Sequence, residues 1–180
     1  MFENIARDAQ RHLGATASGA RPAAYLRLLL LSPGFQLTLC IRAQRHLGRI
    51  PVVGRLLRRI CWYLTTIYFG CDIAPEATFG PGLYIPHSSG IVIGGEWDIG
   101  ADVSILQGVT LGRIAAPPRL CLVGDNVRIG AGAKIIGDID IGAGARIGAN
   151  AVVVKPVPPG ATAVGVPARI IIKGDREGGS

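Results

Sequence analysis

A six-residue repeat of aliphatic residues runs through the second half of this chain. Every sixth residue from 93 to 153 is Ile, Leu or Val except at position 117, and glycine follows most of them. A period of six fits neither a helical stripe nor strand alternation, and it is typical of a parallel β-helix built from hexapeptides. The repeated residues are Ile93, Ile99, Ile105, Leu111, Val123, Ile129, Ile135, Ile141, Ile147 and Val153. The pattern predicts a mainly β fold, a left-handed parallel β-helix with these side chains inside.

Two interruptions of the repeat indicate where the β-helix carries irregular structure. An earlier series, Ile73, Phe79, Ile85 and Ile91, keeps the six-residue spacing in another phase. The change of phase predicts a two-residue irregularity just after His87. The segment 113–122 contains two adjacent prolines and cannot be regular strand. We expect a loop there, which is either a functional insertion or a neutral surface excursion.

The N-terminal part differs from the β-helix in charge and in pattern. Residues 1–71 carry a net charge of +8 and residues 72–180 a net charge of −1, with no acid from Ala9 to Cys71. Ser32 followed by Pro33 predicts a helix start, and that helix would end near Leu47. A further helix is predicted from Pro51 to Phe69. We therefore expect a helical region (1–70), a β-helix domain (71–172) and a flexible tail (173–180).

The role of the basic helices is open at this point. They form either a cap on the β-helix or a membrane-surface anchor through residues 20–70, with arginines on anionic headgroups. Nothing in them resembles a nucleic-acid-reading helix, so no nucleic-acid partner is expected. No apolar stretch is long enough to predict a spanning helix, and the polar, mixed-charge stretch after residue 1 does not predict a signal peptide. With four scattered cysteines expected to be reduced, the predicted location is cytoplasmic or peripheral at the inner membrane face.

One histidine and one aspartate in the β-helix are candidate catalytic groups. His87 lies at a predicted turn, where a neutral imidazole can take a proton from a hydroxyl near neutral pH. Asp72 precedes it by about one coil, so it can approach His87 from the adjacent coil and orient the ring. The alternative is that His87 is only a surface histidine. A metal site is not expected, because zinc needs three or four ligands and this half offers too few.

The later coils are rich in glycine and alanine, notably in the segments 130–134 and 142–150. Small side chains with accessible backbone amides suit an extended thioester cofactor lying along the β-helix. The other interpretation is that these residues only satisfy the steric demands of tight turns.

Several segments together resemble the hexapeptide acyltransferases, and among them the serine acetyltransferase family. The matching segments are Asp72–Ala77, Pro81–Gly94, Asp102–Gly112, Ile129–Gly137 and Val157–Arg169. The resemblance implies a homotrimer with active sites between subunits, acetyl-CoA as donor, His87 as general base and Asp72 as its partner. It also implies substrate contacts from Arg119 and Gln107. Cofactor contacts are expected from Gly112, Gly130, Ala131, Ala149, Lys155 and Arg169, with Arg169 or Lys173 near the phosphates of the coenzyme.

The chain departs from that family at two acceptor positions. Pro86 stands where the family has an aspartate before the histidine, and Leu120 replaces a second histidine. Loss of polar groups in a site built for a zwitterion lowers specificity for it. The chain is also similar to shorter exopolysaccharide acetyltransferases of the colanic-acid type, so we expect a sugar hydroxyl as acceptor, with L-serine as the alternative. A non-catalytic trimeric scaffold, binding a partner through residues 174–180, is a second alternative.

Overall fold

The computed structural model describes residues 2–14, 19–113 and 120–172. Four helices occupy the N-terminal part: α1 (Phe2–Leu13), α2 (Pro22–Leu31), α3 (Pro33–Leu47) and α4 (Gly54–Phe69). The side chain of Ser32 accepts a hydrogen bond from the backbone N–H of Phe35, so Ser32 caps α3 as predicted. Gly70 ends α4 in a left-handed conformation, with φ of +61°. The last helix starts three residues later than predicted, because Val52 also takes a positive φ, of +66°.

Thirteen short strands follow along the described chain, and twelve of them form three parallel sheets. The strands are β1 (Asp72–Ile73), β2 (Thr78–Phe79), β3 (Val92–Ile93), β4 (Trp97–Ile99), β5 (Ser104–Ile105), β6 (Thr110–Gly112), β7 (Cys121–Val123), β8 (Arg128–Ile129), β9 (Lys134–Ile136), β10 (Arg146–Ile147), β11 (Val152–Val153), β12 (Thr162–Val164) and β13 (Arg169–Ile171). The first sheet has the order β1-β3-β6-β9-β11, the second β12-β10-β8-β5 and the third β2-β4-β7. From β3 to β9 successive strands visit the first, third and second sheets in turn, and single bridges at Tyr84, Ile141 and Val157 continue the coils where no strand forms. The last strand, β13, returns antiparallel to β12. This is the left-handed parallel β-helix that the hexapeptide period predicts.

The spacing of paired residues in neighbouring strands gives the number of extra residues at each interruption of the repeat. Val92 pairs with Thr110 and Lys134 with Val152, which gives a regular coil of 18 residues. Asp72 pairs with Val92, 20 residues later, so two extra residues lie in the turn that holds His87. Trp97 pairs with Cys121, 24 residues later, so six extra residues leave the coil after β6. Residues 114–119 of that excursion lie outside the described residues.

The interior of the β-helix is filled by the predicted aliphatic column. All ten repeated Ile, Leu and Val side chains are at most 3% exposed, and the earlier series from Ile73 to Ile91 is equally buried. The position two before each repeat is also buried, and at one coil it holds Trp97, which is fully buried. Because each coil buries its apolar face only against its neighbours, the stack is stabilised cooperatively.

The first helix docks the helical region onto the first two coils. Asp8 of α1 and Arg42 of α3 form a buried ion pair at the edge of the first coil. Also on α1, Arg7 pairs with Asp102 and Arg11 donates to Ser104 Oγ at 2.8 Å. The helical region therefore packs against the β-helix through polar contacts as well as apolar ones.

One surface of the helical region is apolar. Between α3 and α4 runs a groove of about 740 Å³, lined by uncharged residues that include Cys40, Leu57, Leu64 and Tyr68. No single helix within the described ranges is long and apolar enough to cross a membrane. The consecutive helices α2 and α3, bent by 84° where they meet, together have the length and the apolar composition of a membrane span, and nothing beyond length and composition supports one.

No disulfide joins any of the four cysteines, all of which lie in the described ranges. Cys71 and Cys121 are buried and Cys40 and Cys61 are half-buried. Burial raises the pKa of the Cys71 and Cys40 thiols. Among the residues that the structure describes, no cluster of three or more His, Cys, Asp or Glu side chains is placed to hold a metal ion.

Candidate active site

His87 is exposed at the first corner of the β-helix, in the turn that carries the two extra residues. The helices fix the start of this turn from behind. A Cβ added to Gly34 of α3 would stand 1.8 Å from the carbonyl oxygen of Ile85, so only glycine permits this approach. His12 of α1 lies 3.3 Å from the same carbonyl oxygen through its Nε2 atom. The backbone that leads into His87 is thus held by two helices.

Asp72 lies on the outer surface of β1, beside Val92, and its carboxylate is exposed. Its Oδ1 atom accepts a hydrogen bond of 3.1 Å from the indole Nε1 of Trp62 on α4. Within the described ranges, no hydrogen bond or ion pair joins Asp72 to His87. The two residues flank the same edge of the first two coils, and the orienting role of Asp72 stays a prediction.

Three of the predicted ligand contacts, Gln107, Ala131 and Ala149, lie at one corner of the β-helix. This is the same corner that holds the His87 turn in the first coil. The N–H of Gly108 donates to Ser89 O, the N–H of Gly132 to Gln107 O, and the N–H of Asn150 to Ala131 O, each at 2.8 or 2.9 Å. These bonds stack Ser89, Gln107, Ala131 and Ala149 in consecutive coils. The structure therefore aligns Ser89, Gln107, Ala131 and Ala149 in one corner row, with His87 near its first end.

Gln107 has the features of a ligand-binding group. Its side-chain oxygen Oε1 is buried and has no hydrogen-bond partner. A buried acceptor without a donor costs free energy, so a ligand N–H or O–H at this position would be bound favourably. Gln107 lies one coil beyond Ser89, which is two residues after His87.

The remaining predicted cofactor contacts are more widely spread. Gly112 ends β6 and Lys155 lies two residues after β11, so both lie at the C-terminal ends of strands of the first sheet, whereas the corner row precedes these strands. Gly130 lies at the corner, immediately before Ala131. Arg169 is exposed on β13, where it pairs with Val164 at the C-terminal end of the β-helix. The preceding Ala168 donates to Val152 O, which keeps this segment against the last coil.

Two of the predicted contacts cannot be positioned. Arg119, the expected acceptor contact, and Lys173 lie outside the described residues, as does the tail from 174. The nearby Leu120, which replaces the family's second histidine, is 55% exposed. At the other end of the excursion, Arg113 Nε contacts Asp138 Oδ1 at 2.6 Å, so the first residue of the loop is anchored.

Sequence reasoning missed four residues that shape this site. Lys134 donates from Nζ to the carbonyl oxygen of Gly108 at 2.6 Å and to Thr110 Oγ1 at 3.0 Å, which bridges two coils beside the corner row. Gly34 and His12 support the His87 turn, and Trp62 holds Asp72. Lys134 stands in a glycine-rich segment whose pattern drew attention, but the three helical residues have no sequence signal that links them to the site.

A backbone amide near the coil from Gly108 to Gly112 is a further candidate, as the donor that would stabilise a developing oxyanion. The backbone N–H groups of Gly108 and Thr110 both donate within the β-helix, to Ser89 O and Ala133 O. An N–H that is already bonded is not free for a developing oxyanion. Gly108 and Thr110 are therefore excluded as donors, and an oxyanion donor elsewhere near this coil stays a prediction.

This geometry defines the class of protein. Residues 121–155 match the family described as "Bacterial transferase hexapeptide (six repeats)", in agreement with the coils and the corner row. The chain is 43% identical over 150 residues to the serine acetyltransferase of Helicobacter pylori strain J99, a match that spans 81% of this chain and 85% of the relative. The chain belongs to the serine acetyltransferase family.

Two further comparisons bear on the extent of the likeness. The serine acetyltransferase of Mycobacterium tuberculosis is 52% identical over 120 residues, which span 66% of this chain and 52% of that protein. A solved serine acetyltransferase of Brucella abortus strain S19, in complex with coenzyme A, superposes with a TM-score of 0.82 at 33% identity. That match covers 93% of this chain and 66% of the other chain. The chain thus spans about half to two thirds of the length of these two relatives.

Proposed function

We propose that this protein is an acetyl-CoA-dependent serine O-acetyltransferase. The observation that carries the proposal is the exposed His87 at the first end of the corner row, in a chain of the serine acetyltransferase family. The carbohydrate acceptor expected from the sequence has no support among the relatives described above, whose names specify serine. The relatives therefore favour L-serine, the alternative.

The chemistry follows from His87. A neutral ring nitrogen accepts the proton of the serine hydroxyl while the hydroxyl oxygen attacks the thioester carbonyl. The carbon–oxygen bond forms, the carbon–sulfur bond of the tetrahedral intermediate breaks, and the proton on His87 passes to the departing thiolate. The products are O-acetylserine and coenzyme A, and no covalent enzyme intermediate is needed. Cys121 is not a nucleophile in this scheme, because its thiol is buried in the β-helix.

Asp72 and Gln107 are proposed to support this reaction in different ways. The Oδ1 atom of Asp72 is held by Trp62, which leaves the other oxygen to receive an N–H of the histidine and stabilise its charged form. Gln107 offers its unpaired Oε1 to a substrate or cofactor N–H. The pantetheine arm is proposed to lie along Gly130, Ala131 and Ala149. Farther contacts are proposed from Gly112, Lys155 and Arg169, and an acceptor contact from Arg119.

We also propose that the working unit is a homotrimer with active sites between subunits. Several apolar side chains of the β-helix are between one third and one half exposed in the single chain, and burying them in an assembly would be favourable. They are Val92, Leu122, Val154 and Val164. Native mass spectrometry tests this directly: a monomer at micromolar concentration would contradict it.

The experiment that tests the function compares acceptors at saturating acetyl-CoA. Release of free coenzyme A thiol is followed with L-serine and with a panel of neutral sugars. Saturable turnover with L-serine and none with the sugars is expected. Turnover with a sugar alone would replace serine as the acceptor, and no turnover with any acceptor would favour the scaffold interpretation.

A sugar hydroxyl is a second candidate for one specific reason. Pro86 and Leu120 remove two polar groups from the acceptor side of the site, and Leu120 presents an apolar side chain to solvent. These changes favour an acceptor without the charged groups of serine. The matched variants Pro86→Asp and Leu120→His discriminate between serine and a sugar as the acceptor. They should raise serine turnover only if serine binds beside residues 86 and 120.

Contact with an anionic membrane surface is proposed for the helical region. Support comes from the apolar groove between α3 and α4 and from exposed side chains on α2 and α4, such as Leu30, Leu64 and Tyr68. The surrounding sequence has arginines and no acid from residue 9 to 71, which suits anionic headgroups. Sedimentation of the full chain with phosphatidylglycerol vesicles at low salt is expected, and none with neutral vesicles. Loss of this binding in Leu64→Glu would assign it to the groove, whereas equal sedimentation with both vesicle types would contradict the proposal.

A further inference from the structure

A basic pocket of about 210 Å³ opens between α4 and the first coil, directly beside Asp72. Its helical wall carries Arg55, Arg58, Arg59 and Trp62, which share one face of α4 at helical spacing. Its β-helix wall carries Asp72 and Glu76. Three guanidinium groups therefore face two carboxylates, and the pocket has an excess of positive charge.

The ion pairs within the pocket leave two guanidinium groups available. Arg58 Nη2 contacts Glu76 Oε1 at 2.9 Å, and Asp72 is engaged by the indole of Trp62. Among the residues that the structure describes, no carboxylate lies within ion-pairing distance of Arg55 or Arg59. The guanidinium carbon of Arg59 lies over the Trp62 ring, 5.4 Å from its centroid, and this contact restrains the side chain.

Arg55 and Arg59 lie one helical turn apart on α4, so two guanidinium groups can engage the oxygens of one phosphate group. A phosphate group carries a charge near −2 at neutral pH and has three oxygens that accept bidentate hydrogen bonds from arginine. A carboxylate carries one charge and engages one guanidinium fully. We propose that this pocket is a binding site for a phosphate group, held between Arg55 and Arg59 beside Asp72.

The ligand class is thus a phosphorylated small molecule, and two sources share this chemistry. One is a separate phosphorylated metabolite. The other is the phosphate-bearing half of coenzyme A, which would then extend away from the corner row proposed for its pantetheine arm. Phosphate binding at this pocket is independent of which molecule accepts the acetyl group, because the proposed acceptor, L-serine, carries no phosphate. An anion bound here would lie next to the Asp72 carboxylate and would change its electrostatic surroundings.

The two tryptophans make binding directly measurable. Trp62 is half-exposed in the pocket, whereas Trp97 is fully buried in the β-helix. A saturable change in intrinsic fluorescence on titration with inorganic diphosphate, at constant ionic strength set by chloride, therefore reports occupancy beside Trp62. The change should be absent in Trp62→Phe. Binding should be at least about tenfold weaker in the double variant Arg55→Gln with Arg59→Gln, because two charge-assisted contacts are lost.

A matched control and two ligands complete the test. Arg128→Gln removes one exposed arginine from β8 and should leave diphosphate binding unchanged. Competition by 3′,5′-ADP would assign the site to the coenzyme, and competition by a sugar phosphate alone would assign it to a separate metabolite. The proposal is overturned by absence of a saturable change, or by a change that persists in the double arginine variant. The titration contains no acetyl acceptor, so its outcome does not depend on whether the protein turns over L-serine in the acetyltransferase assay.

Discussion

Asp8 and Arg42 form an ion pair that is almost completely excluded from solvent, with Arg42 Nε 2.9 Å from Asp8 Oδ2. Arg42 also donates to the carbonyl oxygens of Phe79 and Gly80, each at 2.6 Å. Asp8 Oδ1 accepts the backbone N–H of Leu83 at 2.8 Å. Every part of the pair is hydrogen-bonded, so it joins α1 and α3 to the first coil of the β-helix.

Asp8→Ala should destabilise the helical region strongly. The substitution leaves a buried guanidinium without its carboxylate and the Leu83 N–H without an acceptor, which costs about 3–5 kcal/mol. Urea denaturation at fixed protein concentration measures the effect. Arg7→Gln is the control, because its partner Asp102 lies at the surface and the exposed pair contributes at most about 1 kcal/mol. Equal effects of the two substitutions would show that the Asp8 pair is not buried in solution.

Gly34→Ala should impair turnover more than a helix glycine ordinarily does. The added methyl group would overlap the Ile85 carbonyl oxygen, so the turn that carries His87 must move. A shift of about 1 Å in a catalytic group can reduce turnover about 100-fold. Gly48→Ala serves as the comparison, since its Cβ would meet only the flexible side chain of Arg58. A Gly34→Ala enzyme with normal kcat would contradict the buttressing role of α3.

Trp97→Phe should be far milder than Trp97→Ala. The indole of Trp97 is fully buried and its Nε1 atom has no hydrogen-bond partner. Phenylalanine removes that unsatisfied donor and keeps most of the packing, so its cost should stay below about 2 kcal/mol. Alanine leaves a large cavity and should cost about 3–5 kcal/mol. Thermal unfolding of both variants measures the difference, and similar losses would imply that the indole nitrogen has a partner in solution.

Cys71 should resist alkylation in the folded protein. Burial raises the pKa of its thiol, so the reactive thiolate is scarce at neutral pH and becomes more available as the pH rises. With iodoacetamide at pH 7, modification of Cys71 should be at least about tenfold slower in the native protein than in urea. Peptide mass spectrometry follows each of the four cysteines separately. Native labelling of Cys71 as fast as in urea would show that the start of the first coil opens readily.

The β-helix could be predicted from the sequence because its fold is periodic in the chain. Each coil places an Ile, Leu or Val at every sixth residue, so the series from Ile93 to Val153 identified the side chains of the interior. The change of phase in this series located two extra residues near His87. The helix ends could also be predicted, because they depend only on neighbouring residues. A serine side chain caps the first N–H groups of a helix, as Ser32 does, and glycine adopts the left-handed conformation at a helix end, as Gly70 does.

The contacts of the helices could not be predicted in the same way. Asp8 and Arg42 are 34 residues apart and join only after α1 and α3 pack on the first coil. Gly34 looks like an ordinary residue of a helix start, and its close approach to Ile85 depends on the position of α3. Likewise, the hydrogen bond from Trp62 to Asp72 requires the orientation of α4. These residues shape the site through tertiary packing, which leaves no periodic signal.

The most direct test of the central claim is the steady-state release of coenzyme A from acetyl-CoA and L-serine by the native protein and by His87→Ala. If His87 is the general base for acetyl transfer to serine, the native protein turns over and kcat falls about 10²–10⁴-fold in the variant, with its fold intact by circular dichroism. Undiminished serine turnover by His87→Ala would contradict the account.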